Sequence, residues 1–353
     1  MPRRSSLLAI LVLLTGCAVR SGELDPAMDS AESEHTARGT RSSGPQVEDD
    51  EDDEVCRTAP GPSRRDLVCH RWRCEGREGA IAASWSGDAS TCNAGDLDGG
   101  GAERALRVLN LHRFLAGLDD VTVEAPWSGP AQQCALLAHA NAKLSHTPPS
   151  DWRCWSDVAA FTSSVSLIAN RSAPLSIAAF IEDPGNEATM VHRRWLLSEK
   201  LTRIGLGSTD RYACVVVDGR GLPAKLGAAD GRTASPAEAA EGASRSEPSP
   251  RPWVAWPPPG PVPMDVFATE RLDEIGWTVQ SSDDDLDRGV VTVSVGGRQL
   301  PVRTTHLVPL LGSRSALRFV PDGWSTEAGL SYEVRVTTDV RSFDFTVEPT
   351  DCP

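Results

Sequence analysis

The chain has 353 residues and a formal charge of −14. An acidic balance of that size argues against nucleic-acid binding, which wants a basic face, and part of it is local, in the run from Glu48 to Glu54. The length suits two modest domains with tails, and no apolar stretch after Leu14 is long enough to cross a bilayer as a helix.

The first 16 residues read as an export signal. Arg3 and Arg4 give a positive start, Leu7 to Leu14 form a short apolar run, and Leu14-Thr15-Gly16-Cys17 resembles the bacterial lipobox. That resemblance implies cleavage before Cys17, acylation of its thiol, and a protein held in the bacterial cell envelope, on the outer membrane or the cell surface. Several acyl chains make such attachment stable, because each buried methylene contributes roughly 0.8 kcal/mol. Residues 17–55 are polar and end in the acidic run, so they cannot bury enough surface to offset ordering entropy. We expect a disordered acidic stalk there.

Cysteine usage fits export. Nine cysteines less Cys17 leave eight, and an even remainder in an exported chain suggests disulfides, with on the order of a hundred possible pairings. No CxxC pair occurs, which argues against a tetracysteine zinc site.

Residues 56–101 form a cysteine-bearing entry segment that ends in a glycine run. Helices are expected from about Ala102 to a stop at Gly117, from Pro130 to Leu144, from Leu175 to Ile181 and from Ala188 to Glu199, on helical spacing of apolar residues and on breakers. Arg203–Leu206 and Tyr212–Val217 read as buried strands. Residues 220–252 are rich in Gly, Ala, Ser, Pro and Glu without periodicity, which marks a low-complexity linker or loop. From residue 261 to 353 the period becomes two: Trp277–Gln280, Val290–Val295, Val302–Thr304, Ala316–Val320, Tyr332–Val336 and Phe343–Val347 alternate between turns. Short strands at this spacing suggest a small all-β antiparallel sandwich of immunoglobulin-like type. Asp283, Asp285 and Asp287 mimic the start of a calcium loop but lack its glycine and its closing glutamate in register, so they read as a solvated turn.

Three stretches carry the chemistry: Asn110-Leu111-His112-Arg113, then Asn141 to His146 with Trp152-Arg153-Cys154, then Val191-His192-Arg193-Arg194-Trp195 leading to Ile204-Gly205-Leu206-Gly207. Their order and spacing resemble the CAP superfamily, or SCP domain, which includes cysteine-rich secretory proteins and pathogenesis-related proteins of plants. The resemblance covers residues 102–219, with a core that could resume at 253–260, and implies an α/β fold of the α-β-α sandwich type. It also implies that His146 and His192 face one cavity, where two neutral imidazoles can hold zinc or another divalent ion. The family's first cavity carboxylate has no counterpart in Phe161 to Ser166. The second is expected among Glu182, Asp183 and Glu187. Without the first acid an obvious general base is gone.

The bland alternatives are that His146 caps the second helix and that His192 is a satisfied core residue. His139 lies two helical turns before His146 and reads as structural, as do Asn110, Arg113, Arg193 and Arg194. Cys134 and Cys154 flank His146 and are expected to bridge. The resemblance implies a surface-anchored binding protein whose ligand is a lipid-like molecule, a divalent ion or another protein. A metal-assisted hydrolase or protease using the same histidines is the alternative, and a purely structural or adhesive module a third.

Overall fold

A computed structural model describes residues 54–97, 100–220, 222 and 251–352. Cys17, nearly all of the acidic segment and most of the expected linker lie outside the described residues.

The entry segment holds a helix α1, Arg64–Arg71, started by a reciprocal capping box between Ser63 and Asp66. Helix α2, Gly101–Ala116, ends on Gly117, which takes the left-handed conformation (φ 72°) that a helix C-terminus favours. Helix α3, Ala125–Asn141, begins earlier than its expected start at Pro130. Pro126 sits in its first turn, where a missing N–H costs nothing. Pro130 lies one turn later, so the ladder loses only the bond it would have made to Pro126. The helix also stops sooner than Leu144, on Ala142 with φ 50°, and His146 falls in the connection beyond.

Helix α4, Asp157–Val165, and strand β2, Ser166–Ala169, were not expected. Helices α5, Ala173–Glu182, and α6, Val191–Leu196, overlap the third and fourth expected helices, the latter much shortened. With β1, Thr122–Val123, β3, Arg203–Ser208, and β4, Ala213–Val216, strand β2 completes a sheet of order β1-β3-β4-β2. Strand alternation divides its side chains between two layers. Ile168, Cys214 and Val216 pack with Ala131 and Ala135 of α3. Leu167, Val215 and Leu206 join Leu109 of α2 and Ile177 of α5 in the main core. A Cβ on Gly207 would lie 2.1 Å from the α3 backbone at Ala131 and Gln132, so only glycine lets the helix come this close.

The C-terminal region starts earlier than residue 261. Strand β5, Val254–Trp256, was expected to resume the first domain's core. It shares that core but pairs antiparallel with β7, Trp277–Ser281. Between them lie β6, Gly260–Pro263, and two short helices, α7, Met264–Thr269, and α8, Leu272–Ile275. Then come β8, Val290–Val295, β9, Arg298–Leu300, β10, Val302–His306, β11, Ser315–Pro321, β12, Tyr332–Thr337, and β13, Ser342–Thr350. They form two sheets, β10-β11-β7-β5 and β6-β13-β12-β8-β9. One pairing departs from the expected antiparallel pattern, since β6 runs parallel to β13.

Buried arginines lock this region to the first. Arg194 of α6 donates to the carbonyls of Val308 and Ser313, and Arg193 to that of Gly276. In return Gln280 of β7 donates to the carbonyls of Arg194 and Leu197. One apolar core runs through both regions, from Leu109 and Ile177 to Trp256, Trp277 and Val334.

Four disulfides link Cys56–Cys74, Cys69–Cys352, Cys92–Cys154 and Cys134–Cys214. The expected Cys134–Cys154 bridge is therefore corrected. Cys134 faces β4 from inside the α3–sheet layer and meets Cys214 there, whereas Cys154 stands on the surface loop that meets the entry segment at Cys92. Peptide mapping of the non-reduced protein should recover these four pairs. Removing Cys69–Cys352 with a double serine substitution should lower unfolding stability by about 2–5 kcal/mol, read from the denaturant midpoint.

Candidate functional site

The two histidines singled out in the sequence are brought within electrostatic reach of each other, since the charge of His192 acts on His146. Their ring orientations are set by different elements. His146 stands in the connection after α3, and its Nδ1–H donates to the carbonyl of Ser163 at 2.7 Å. Ser163 lies in the last turn of α4, where carbonyls have no partner within the helix. His146 thus satisfies the end of α4 rather than capping α3.

His192 is the second residue of α6, and its Nδ1–H donates to Asp183 Oδ1 at 2.7 Å. Asp183 is fully buried and follows α5 in the left-handed conformation, φ 63°. From there its Oδ2 accepts the backbone N–H of His192 at 3.0 Å and of Arg193 at 3.3 Å, capping a helix whose own preceding residue, Met190, provides no side-chain cap. Asn186 Nδ2 adds a fourth donor at 2.9 Å. A carboxylate has about four lone-pair positions, and here each has a donor.

Both rings therefore carry their hydrogen on Nδ1 when neutral, and Nε2 keeps its lone pair. No described residue hydrogen-bonds to either Nε2. Burial pushes the His146 pKa below its ordinary value, and the neighbouring His192 lowers it further against the opposing bond to Ser163. Beside Ser163, the hydroxyls of Thr162 and Ser166 are buried and find no partner among the described residues.

The other acidic candidates do not join the pair. Glu182 turns to Arg271 at 3.1 Å, with its pKa raised by burial against that cation, and Glu187 accepts the N–H of Gly185 within its own turn. Among the described residues no three His, Cys, Asp or Glu side chains converge as a metal-binding group. A zinc ion at His146 and His192 would find two imidazole nitrogens, while Asp183 is taken up as the outer partner of His192. The donor set fits an ion completed by water or ligand, not a closed structural centre.

The neighbouring motif residues hold the frame. Arg113 of α2, 1% exposed, donates to the carbonyls of Asp119, Leu196, Ser198 and Leu201. Arg193 binds the carbonyls of Ile181 and Glu182 at the end of α5, besides Gly276. Burial lowers the pKa of both to about 10, so they remain cations at neutral pH. Asn110 clamps the N–H and C=O of Val121, and Asn141 does the same to Arg153. His139 packs against Trp85, with centroids 4.8 Å apart and the rings tilted, and accepts from Arg211 at 2.8 Å. Ser163 escaped the sequence reading because it acts through its carbonyl, which no residue type announces. Asn186 sat one residue past the Asp183-Pro184-Gly185 turn and gave only the generic turn signal.

Two outcomes follow. Replacing Asp183 with Ala leaves several buried donors unpaired, at about 1–3 kcal/mol each, so unfolding stability should drop by more than about 3 kcal/mol in chemical denaturation. In an NMR titration His146 should take up its proton below about pH 6.5, and His192→Asn should move that midpoint upward. Since the folded His146 pKa is depressed, its contribution to stability is present above the unfolded value and is lost as pH falls below it.

Neither the curated proteins nor the solved structures contain a match to the chain. Residues 106–216 do match a family profile, and that span runs from α2 through both histidines to the end of β4. This part of the chain is a domain of the CAP, or cysteine-rich secretory protein, family.

Proposed function

We propose that the chain is a lipid-anchored, extracytoplasmic binding protein whose CAP domain takes its ligand at the Nε2 atoms of His146 and His192. What supports this is that two imidazoles within electrostatic reach of each other have their Nδ1 sides committed to the protein, at Ser163 and Asp183. Each ring then presents a lone pair, and each suits a Lewis-acidic cation or a ligand hydroxyl. The buried hydroxyls of Thr162 and Ser166 add polar groups beside Ser163. A lipid-like molecule with a hydroxyl, or a divalent ion completed by water, meets that demand. Four disulfides suit an oxidising compartment outside the cytoplasm, and Cys17 supplies the anchor in this reading.

A metal-assisted hydrolase is the second reading, favoured by the Asp183–His192 pair, in which a carboxylate orients an imidazole as in a general base. Against it, Asp183 is fully hydrogen-bonded, and Glu182 and Glu187 are turned to Arg271 and Gly185.

Equilibrium dialysis of the full chain against zinc, in parallel with binding of a fluorescent sterol, tests the site. At least one ligand should bind, and His146→Ala and His192→Ala should each weaken it tenfold or more, while His139→Ala should not. Binding of both ligands unaltered by either variant sinks the reading. Ester or peptide hydrolysis lost in those two variants would favour the hydrolase instead. Mass spectrometry of the mature amino-terminal peptide should find Cys17 acylated; a free thiol there or cleavage elsewhere defeats the anchor.

A further inference from the structure

A second histidine–carboxylate pair lies in the core, at the seam between the CAP domain and the C-terminal region. His112 of α2 and Glu270, which follows α7, are each 2% exposed, and Trp256 of β5 beside them is 1% exposed. His112 Nδ1 stands 2.8 Å from the carbonyl of Val108, one turn back on its own helix. Its Nε2 stands 2.9 Å from Glu270 Oε1, and Glu270 Oε2 accepts the indole N–H of Trp256 at 2.6 Å.

A carbonyl oxygen only accepts, so Nδ1 must carry a hydrogen. In a neutral ring Nε2 would then be a bare lone pair, facing a carboxylate oxygen at hydrogen-bond distance inside the core. Two buried acceptors so placed repel, and both go unsatisfied. One additional proton removes the conflict. We infer that His112 and Glu270 hold one proton between them at neutral pH, as imidazolium and carboxylate, and that this proton fastens the C-terminal region to the CAP domain.

The surrounding groups agree on where the proton sits. Trp256 donates to the carboxylate, and Arg193 on α6 adds a positive charge that interacts with Glu270. Glu182 on α5 opposes, but Arg271 pairs with it at 3.1 Å. Around the ring itself stand Trp72, edge-on with centroids 6.1 Å apart, and Trp256 at 5.5 Å. Trp256 and Arg193 thus favour a carboxylate at Glu270 and Arg271 offsets Glu182, which puts the proton on His112.

The consequence is a proton-linked latch. Above about pH 6.5 an unfolded histidine is mostly neutral, so the folded chain binds one proton more than the unfolded chain. Stability then declines as pH rises, and the linkage vanishes below that range, where both states hold the proton.

Glu270→Gln is the diagnostic variant. A glutamine amide can donate to the lone pair of a neutral His112 while its oxygen accepts from Trp256, so the same bonds form without the proton. As pH rises above about 6.5, the unfolding constant of the full wild-type chain should rise relative to Glu270→Gln, by up to about tenfold per pH unit. Parallel pH profiles would overturn the inference. Should the variant fail to fold, nitrogen-15 NMR of the wild type decides. At neutral pH both His112 ring nitrogens should be protonated, and an unprotonated Nε2 refutes the latch.

Discussion

The saturated carboxylate of Asp183 is the constraint on which the rest of the site depends. One buried side chain ends α5, starts α6 and holds the ring of His192, with donors from Asn186, His192 and Arg193 on its two oxygens. A buried charge is tolerated only when paired and hydrogen-bonded, and four donors meet that demand without a metal or a direct salt bridge to arginine. The arrangement has a chemical cost. A carboxylate committed to architecture is not available to bind an ion directly or to take a proton from water. Of the three acids that the sequence offered, Asp183 is the one that holds a histidine ring, and it does so as a fully hydrogen-bonded partner.

Arginine takes the complementary part. Arg113, Arg193 and Arg194 are buried, and their donors go chiefly to backbone carbonyls rather than to carboxylates. The planar guanidinium suits this, because its five N–H groups can serve several carbonyls at helix ends at once. Arg113 gathers the segment after α6, Arg193 the end of α5, and Arg194 the loop at Val308 and Ser313 of the C-terminal region. Arg193, which also reaches Gly276, and Arg194 thereby join the helical layer to the β-region, while Arg113 braces the segment that follows them. His192 sits directly before Arg193 and Arg194, so its position is set by the same contacts that dock the C-terminal sheets.

How much of this was legible follows from where the physics is local. Gly117 as a helix stop and the period-two strands from Trp277 onward needed only short-range patterning, and they appear close to their expected places. The start of helix α3 lies before Pro130 because a proline one turn inside a helix gives the same signal as one at its start. Helix α4 and strand β2 are short and follow each other without a breaker, so Ser156, a regular helix cap, is their main local signal. Disulfide pairing is a property of the packed layers. Cys134 and Cys214 meet because α3 lies on β4, which the spacing between Cys134 and Cys154 could not reveal. Motif order drew attention to the histidines, and Asp183 stood among the expected acids; the carbonyl of Ser163 did not show, since no residue type announces it.

The close approach of α3 to β3 completes the argument for a rigid site. Gly205 and Gly207 remove the side chains that would hold the helix away, with Trp127 over the first and the backbone of Ala131 over the second. The Cys134–Cys214 bridge then fastens helix to sheet on that same face, and Ser163 donates its hydroxyl to Cys134 Sγ at 3.3 Å. The residue whose carbonyl orients His146 is thus tied to the disulfide that anchors α3. On the opposite side of the pair, His192 rests on Asp183 and the α5–α6 junction. Each imidazole is held by a covalently or electrostatically braced element, and neither depends on a mobile side chain for its orientation. Polar groups preorganised in this way carry little further ordering cost in any contact they make.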